Sequence, residues 1–147
     1  MNGKYLKGLI TTAAILMTLL MGSCSDTTSP GQAAVIQINR LLDDLEDAVR
    51  EYDIEKVSEH LHYDFLHNGK EKDDLIFIWY QRLLSFDHLS LSEREIKVTG
   101  FLARASFRMT FSSADSTLVT EEPSEQFGDV SFFIRDEGKW HLFGNQR

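Results

Sequence analysis

The feature that most constrains the fold is a strict alternation of side chains between residues 101 and 111. All six odd-numbered positions, from Phe101 to Phe111, are apolar, whereas the positions between them include Arg104, Ser106 and Arg108. Successive side chains of a β-strand point to opposite faces, so this period of two is typical of a strand with one buried face. The sequence therefore predicts a long strand at the centre of a sheet.

Other strands are predicted around it at residues 63–68, 95–98, 118–120, 127–135 and 140–146. Gly69 ends the first, and Pro123 interrupts the chain after residue 120, as suits an edge. In segment 127–135, Val130, Phe132 and Ile134 are expected on one face. Residues 136–139 predict a hairpin turn, with Gly138 where a positive φ is needed.

Helices are predicted before these strands. Apolar residues recur at three- and four-residue steps in residues 32–52, and Asp53 is placed to cap a short second helix. A third helix is predicted at residues 71–84, with residues 75–80 apolar on every side, which is typical of burial by several neighbours. Helices grouped before antiparallel strands indicate the α+β class.

The N-terminus predicts export. Lys4 and Lys7 precede an uncharged, largely apolar stretch at residues 9–20, which is shorter than the roughly 20 residues of a membrane span. The next residues, with Met21 three before Cys24 and Ser23 next to it, resemble the lipobox of bacterial lipoproteins. The alternative is an uncleaved anchor helix with an incidental cysteine. Since Cys24 is the only cysteine, an internal disulfide is excluded and lipid attachment is favoured.

These observations predict a signal peptide at 1–23, a flexible tether at 24–31 and one domain at 32–147 in the cell envelope. Ser25, rather than Asp, follows the cysteine, which favours the outer membrane over the inner membrane. Loss of Lys4 and Lys7 leaves 13 basic residues against 23 acidic ones. Such a charge repels nucleic acid, so this class of partner is excluded.

The chain resembles the nuclear transport factor 2-like superfamily, which includes SnoaL-like cyclases and ketosteroid isomerases. The resemblance lies in the long first helix running into residues 52–57, in the segment 63–66 and in the closing segment 136–142. It implies a strongly curved, mainly antiparallel sheet around the helices, with a cone-shaped pocket. The isomerases have a general-base Asp where this chain has His67-Asn68-Gly69, and a Tyr where it has Leu45. Their mechanism is therefore not expected here.

The resemblance and the strand alternation together define a candidate ligand pocket. We expect six residues around it: His67, Trp79, Tyr80, His141, Phe143 and Asn145. His67 is expected near the mouth, as a general base, as a ligand hydrogen bonder or as a histidine bonded to backbone. Trp79 also suits plain core packing. The face of the last strand depends on its register, because a one-residue slip would reverse it.

Three functions remain open. The first is a non-catalytic envelope module that binds a small apolar ligand or an envelope protein. The second is a SnoaL-like isomerase, hydratase or cyclase with His67 as base. The third is a structural module with a filled cone, whose exposed sheet face binds a partner; a homodimer is compatible with any of these. His60, His62, Asp64 and His67 show partial metal-ligand spacing, but the set is incomplete, so no metal and no cofactor are expected.

Overall fold

The structure is a computed structural model that describes residues 29–147. The predicted signal peptide and Cys24 lie outside the described residues. The helices are α1 Pro30–Glu51, α2 Ile54–Glu59 and α3 Lys72–Ser85. The strands are β1 Leu66–His67, β2 Lys70–Glu71, β3 His88–Thr99, β4 Leu102–Ser112, β5 Thr117–Glu122, β6 Phe132–Asp136 and β7 Lys139–Leu142.

Helix α1 begins two residues before the predicted start. Ser29 accepts a hydrogen bond from the backbone of Gln32, whose side chain binds the Ser29 N–H in return, and Pro30 stands in the first turn. This reciprocal cap satisfies backbone donors that a helix leaves open at its N-terminus. The predicted cap of α2 is confirmed, because the Asp53 carboxylate accepts from the Lys56 N–H at 3.0 Å.

The α+β class is confirmed. Strand β4 occupies the middle of a five-stranded antiparallel sheet, with β3 on one side and both β5 and β6 on the other. The alternation of β4 is confirmed from Ala103 onward: Ala103, Ala105, Phe107, Met109 and Phe111 are buried. Phe101 is exposed, because the strand begins only at Leu102. This inner face and the apolar face of α1 form the core.

Two strand predictions had the wrong length. The strand predicted at residues 63–68 is reduced to Leu66–His67, because the Asp64 N–H donates to Nδ1 of His62 and holds the preceding residues in a turn. The strand predicted at 95–98 is part of the longer β3, whose pairing with β4 is interrupted between Ser92 and Glu95. The irregularity hid its first half from a period-two pattern.

The predicted face of the last two strands is wrong. A 3₁₀ turn at Gly128–Val130 shifts the phase, so Phe133 is buried rather than Phe132 and Ile134. The hairpin pairs Asp136 with Lys139, as predicted, and passes the shift on to β7. Trp140 and Leu142 consequently face the core, whereas His141, Phe143 and Asn145 were expected to face inward and are only half-buried.

Burial of α3 on every side is also wrong. Leu75, Trp79, Arg82 and Leu83 form its buried face, while Phe77, Tyr80 and Leu84 are exposed. Helix α2 and the short strand β2 cover one side of α3 and leave the other uncovered. Within residues 29–147, none of the helices combines the length and apolar character needed to span a membrane.

Candidate binding site

His67 is buried, with 3% of its surface exposed, rather than placed at a pocket mouth. The backbone N–H of Asn145 donates to its Nδ1 at 3.2 Å, and the amide nitrogen of Asn68 lies 3.1 Å from its Nε2. A neutral imidazole has one N–H and one lone pair. In either tautomer the lone pair therefore faces an amide N–H of the chain itself, and the ring offers no acceptor to a substrate.

Burial lowers the pKa of His67 below its ordinary value of 6.5, because the charged imidazolium loses its hydration. The positive charges of Lys70 and Arg82 add to this lowering, while Asp129 opposes it. His67 is accordingly a neutral histidine that joins β1 to the C-terminal segment. Of the roles considered from the sequence, this geometry fits the histidine bonded to backbone.

The interior near His67 is filled by a cone cluster made of Trp79, Arg82 and Asp129. The Asp129 carboxylate accepts two bonds from the Arg82 guanidinium, at 3.0 and 3.2 Å, and a third from the Trp79 indole at 2.7 Å. Arg82 lies over the rings of Trp79 and Phe127, 5.0 and 4.9 Å from their centroids. Charges and aromatic rings of the chain thus satisfy one another where a ligand would sit.

Glu122 completes the polar interior. It is 5% exposed, and both of its carboxylate oxygens accept bonds from Ser124, at 2.7 Å from the backbone N–H and 2.8 Å from the hydroxyl. Burial raises the pKa of Glu122 above its ordinary value. A Cβ placed on Gly128 would lie 3.4 Å from Glu122 Oε2 and 3.6 Å from His67 Cε1, so the two titratable groups lie on either side of Gly128.

An open groove of about 340 Å³ lies on the outer face of the sheet. We define this outer groove by six of its bordering residues: Lys97, Leu102, Arg104, Phe132, Phe143 and Asn145. Phe143 and Asn145, two of the predicted pocket residues, therefore do border one cavity, but from the outer side of the sheet. His67 is not among the bordering residues, although its ring lies 6.2 Å from that of Phe132.

The other predicted pocket residues lie elsewhere. Trp79 is fully buried in the cone cluster, and Tyr80 is 46% exposed on the uncovered side of α3. His141 borders a separate open groove of about 590 Å³ between α1 and the β6–β7 hairpin, together with Asp44 and His60. The expected single pocket around His67, Tyr80, Phe143 and Asn145 is therefore not formed. Within the described range, no three potential ligand side chains are grouped to hold a metal ion.

The sequence matches no protein-family model and no curated protein, but its structure is similar to solved ones. An NTF2-like protein of unknown function from Shewanella oneidensis has a TM-score of 0.59 at 14% identity, over 76% of this chain and 95% of that one. A candidate dehydratase of the NTF2-like family from Streptomyces avermitilis has a TM-score of 0.53 at 12% identity, over 78% and 94%. The fold is that of the nuclear transport factor 2-like proteins.

A third similar structure is Bd1075 of Bdellovibrio bacteriovorus, with a TM-score of 0.60 at 10% identity. The match covers 77% of this chain and 40% of that one, so this chain spans less than half of the larger protein. The nuclear transport factor 2-like fold predicted from the sequence is thus confirmed. Identities this low show the fold alone, and the site must be argued from its own residues.

Sequence reasoning missed the polar groups that fill the cone of this nuclear transport factor 2-like fold. Arg82 follows an apolar run in α3, and Asp129 lies in a segment predicted as strand. The one available signal was the placement of Arg82 three residues after Trp79, on the buried side of the same helix. Its partner lies 47 residues away, and such pairing cannot be inferred from local spacing.

Proposed function

We propose that the chain is a lipid-anchored envelope protein whose domain binds a small, mostly apolar ligand without catalysing a reaction. The observation that carries the proposal is the engagement of His67 by amide groups of Asn145 and Asn68. A general base needs a lone pair within reach of a substrate proton. The SnoaL-like alternative has no free base at this position.

The ligand binds in the outer groove, because the cone is occupied by Trp79, Arg82 and Asp129. The groove has apolar walls at Leu102, Phe132 and Phe143 and a few polar groups at its rim, the usual form of a small-molecule site. The filled cone also agrees with the third hypothesis, in which the outer sheet face binds an envelope protein. A concave groove of about 340 Å³ favours the small ligand.

The ligand part of this proposal is tested by native mass spectrometry of the full chain for a co-purified small molecule. We expect Phe143→Ala to lose the bound molecule, because it removes one wall of the outer groove. His67→Gln should retain it within a few-fold, since Gln keeps a donor and an acceptor. The reverse pattern, with binding lost in His67→Gln and kept in Phe143→Ala, would return the site to the cone.

The anchor is tested separately through Cys24. We expect a fatty-acid analogue supplied to growing cells to label the wild-type chain and not the Cys24→Ala variant, which should leave the membrane or stay uncut. Cys24 is the one residue in the sequence that offers a lipid thioether. Membrane attachment of the wild-type chain without any label would mean that the apolar N-terminal stretch is the anchor.

A further inference from the structure

Four residues of the outer groove form one row across neighbouring strands. Lys97 is paired with Arg104 between β3 and β4, and Arg104 is paired with Phe132 between β4 and β6. The Phe143 N–H donates to the Phe132 carbonyl at 2.9 Å and extends the row by one residue. Paired residues of adjacent strands share a face, so two cations are followed by two aromatic rings on one surface.

Arg104 differs from the next outward arginine of the same strand. Arg108 is held between two carboxylates, Glu93 at 2.7 Å and Glu121 at 2.8 Å. Arg104 lies over the ring of Phe132, 5.6 Å from its centroid, and forms no salt bridge with another residue of the range 29–147. Its planar fork of donors therefore remains open to an external anion, beside an aromatic surface.

Lys97 can supply a second positive charge to the same anion. Its present partner is Glu95 at 3.2 Å, and the two side chains are 77% and 67% exposed. An ion pair so open to water contributes little, so exchange for a ligand carboxylate costs little. The whole chain carries a net charge of −8, and a site with two cations beside apolar walls differs from that general surface.

We propose that the outer groove binds a small monocarboxylic acid with an apolar body, the carboxylate on Arg104 and Lys97 and the body over Phe132 and Phe143. This inference rests on the proposed function and specifies its ligand. The guanidinium of Arg104 binds a carboxylate through two parallel hydrogen bonds, which a neutral head group cannot accept in the same way. A groove of about 340 Å³ sets the size to that of a compact acid.

The test uses the full chain in lipid nanodiscs and follows backbone amide signals during titration with 4-phenylbutyrate. We expect saturable shifts at Phe132, Phe143 and Asn145. The neutral analogue 4-phenylbutan-1-ol should bind at least about tenfold more weakly, because a charge-assisted hydrogen bond contributes more than a neutral one. Equal affinity for the acid and the alcohol, or no saturable shift with the acid, would overturn the proposal.

Two matched variants on β4 identify the recognising charge. Arg104→Gln should weaken 4-phenylbutyrate binding about tenfold or more, whereas Arg108→Gln, which removes the same charge from the same face, should change it less than about twofold. Equal losses in both variants would mean that long-range charge alone attracts the acid, and would overturn the assignment to Arg104. Failure of these tests leaves the non-catalytic function standing, whereas acid-induced shifts confined to Trp79 and Phe111 would contradict both proposals.

Discussion

The backbone N–H of Asn145 donates to Nδ1 of His67 at 3.2 Å and joins the C-terminal segment to β1. Asn145 also accepts the Asn68 N–H at 3.1 Å through its side chain, so the two ends of the domain are held by both backbone and side-chain bonds. The histidine that a catalytic reading of the sequence would choose is thereby a structural element. This relationship makes the domain sensitive to pH and to the packing around Gly144.

We expect stability to fall as pH is lowered below about 6.5, in part through His67. The folded pKa of His67 is lowered by burial, so in this range the unfolded chain binds a proton that the folded chain does not. His60 and His141, whose pKa values are also lowered by burial, contribute in the same direction. Urea unfolding between pH 7.5 and 5.5 should give a shallower loss in His67→Gln than in wild type. An unchanged slope would show that His67 is as accessible to protons when folded as when unfolded.

Asp129→Asn should cost roughly 3–5 kcal/mol of unfolding free energy, because it leaves the buried Arg82 charge without its partner. Chemical denaturation measures this loss. Arg108→Gln, on the exposed face, should cost far less, as exposed ion pairs contribute little. The double variant Arg82→Met, Asp129→Leu should recover much of the stability, since no charge then remains buried. A single-variant loss as small as that of Arg108→Gln would show that the cone cluster is open to water.

Gly144→Ala should destabilise the domain more than Gly100→Ala does. Both glycines have a positive φ, 75° and 63°, so the backbone strain of an added Cβ is similar. A Cβ at Gly144 would overlap the Leu66 carbonyl oxygen and press on the His67 side chain, whereas nothing lies within 4 Å of one at Gly100. Melting temperatures of the two variants measure the difference. Equal shifts would mean that the C-terminal segment does not pack closely on β1.

Phe107→Ala should cost roughly 3–5 kcal/mol, as for other buried phenylalanines, because Phe107 is 3% exposed on the inner face of β4. Arg104→Ala, on the outer face, should cost much less and give a folded protein for binding studies. Urea denaturation compares the two. Losses of similar size would mean that both faces of β4 are buried, as in a closed dimer over the outer groove.

The sequence predicts the elements whose pattern is long and regular, such as α1 and the inner face of β4. It fails where a few irregular residues change the phase. The 3₁₀ turn at Gly128–Val130 reverses the faces of β6 and β7, and with them the placement of His141, Phe143 and Asn145. Since the side-chain period of a strand is two, a single extra residue has this effect, and no local pattern announces it.

The candidate site could be predicted only in part, for a related reason. Phe143 and Asn145 were recognised as residues that border a cavity, but the side of the sheet was wrong. Arg104 was taken as an ordinary outward residue of β4, because its neighbour Phe132 comes from a strand 28 positions further along the chain. Cross-strand neighbours of this kind are fixed by the fold and not by spacing in the sequence.

The protonation state of His67 tests the central claim most directly, and ¹H–¹⁵N spectra of the imidazole measure it across pH 5 to 8. We expect a neutral ring at pH 7, with Nδ1 unprotonated and accepting from the Asn145 N–H, and a pKa below 6.5. A ring that titrates at or above 6.5, or whose Nδ1 carries the proton at pH 7, would contradict the account, because His67 would then be available as a general base.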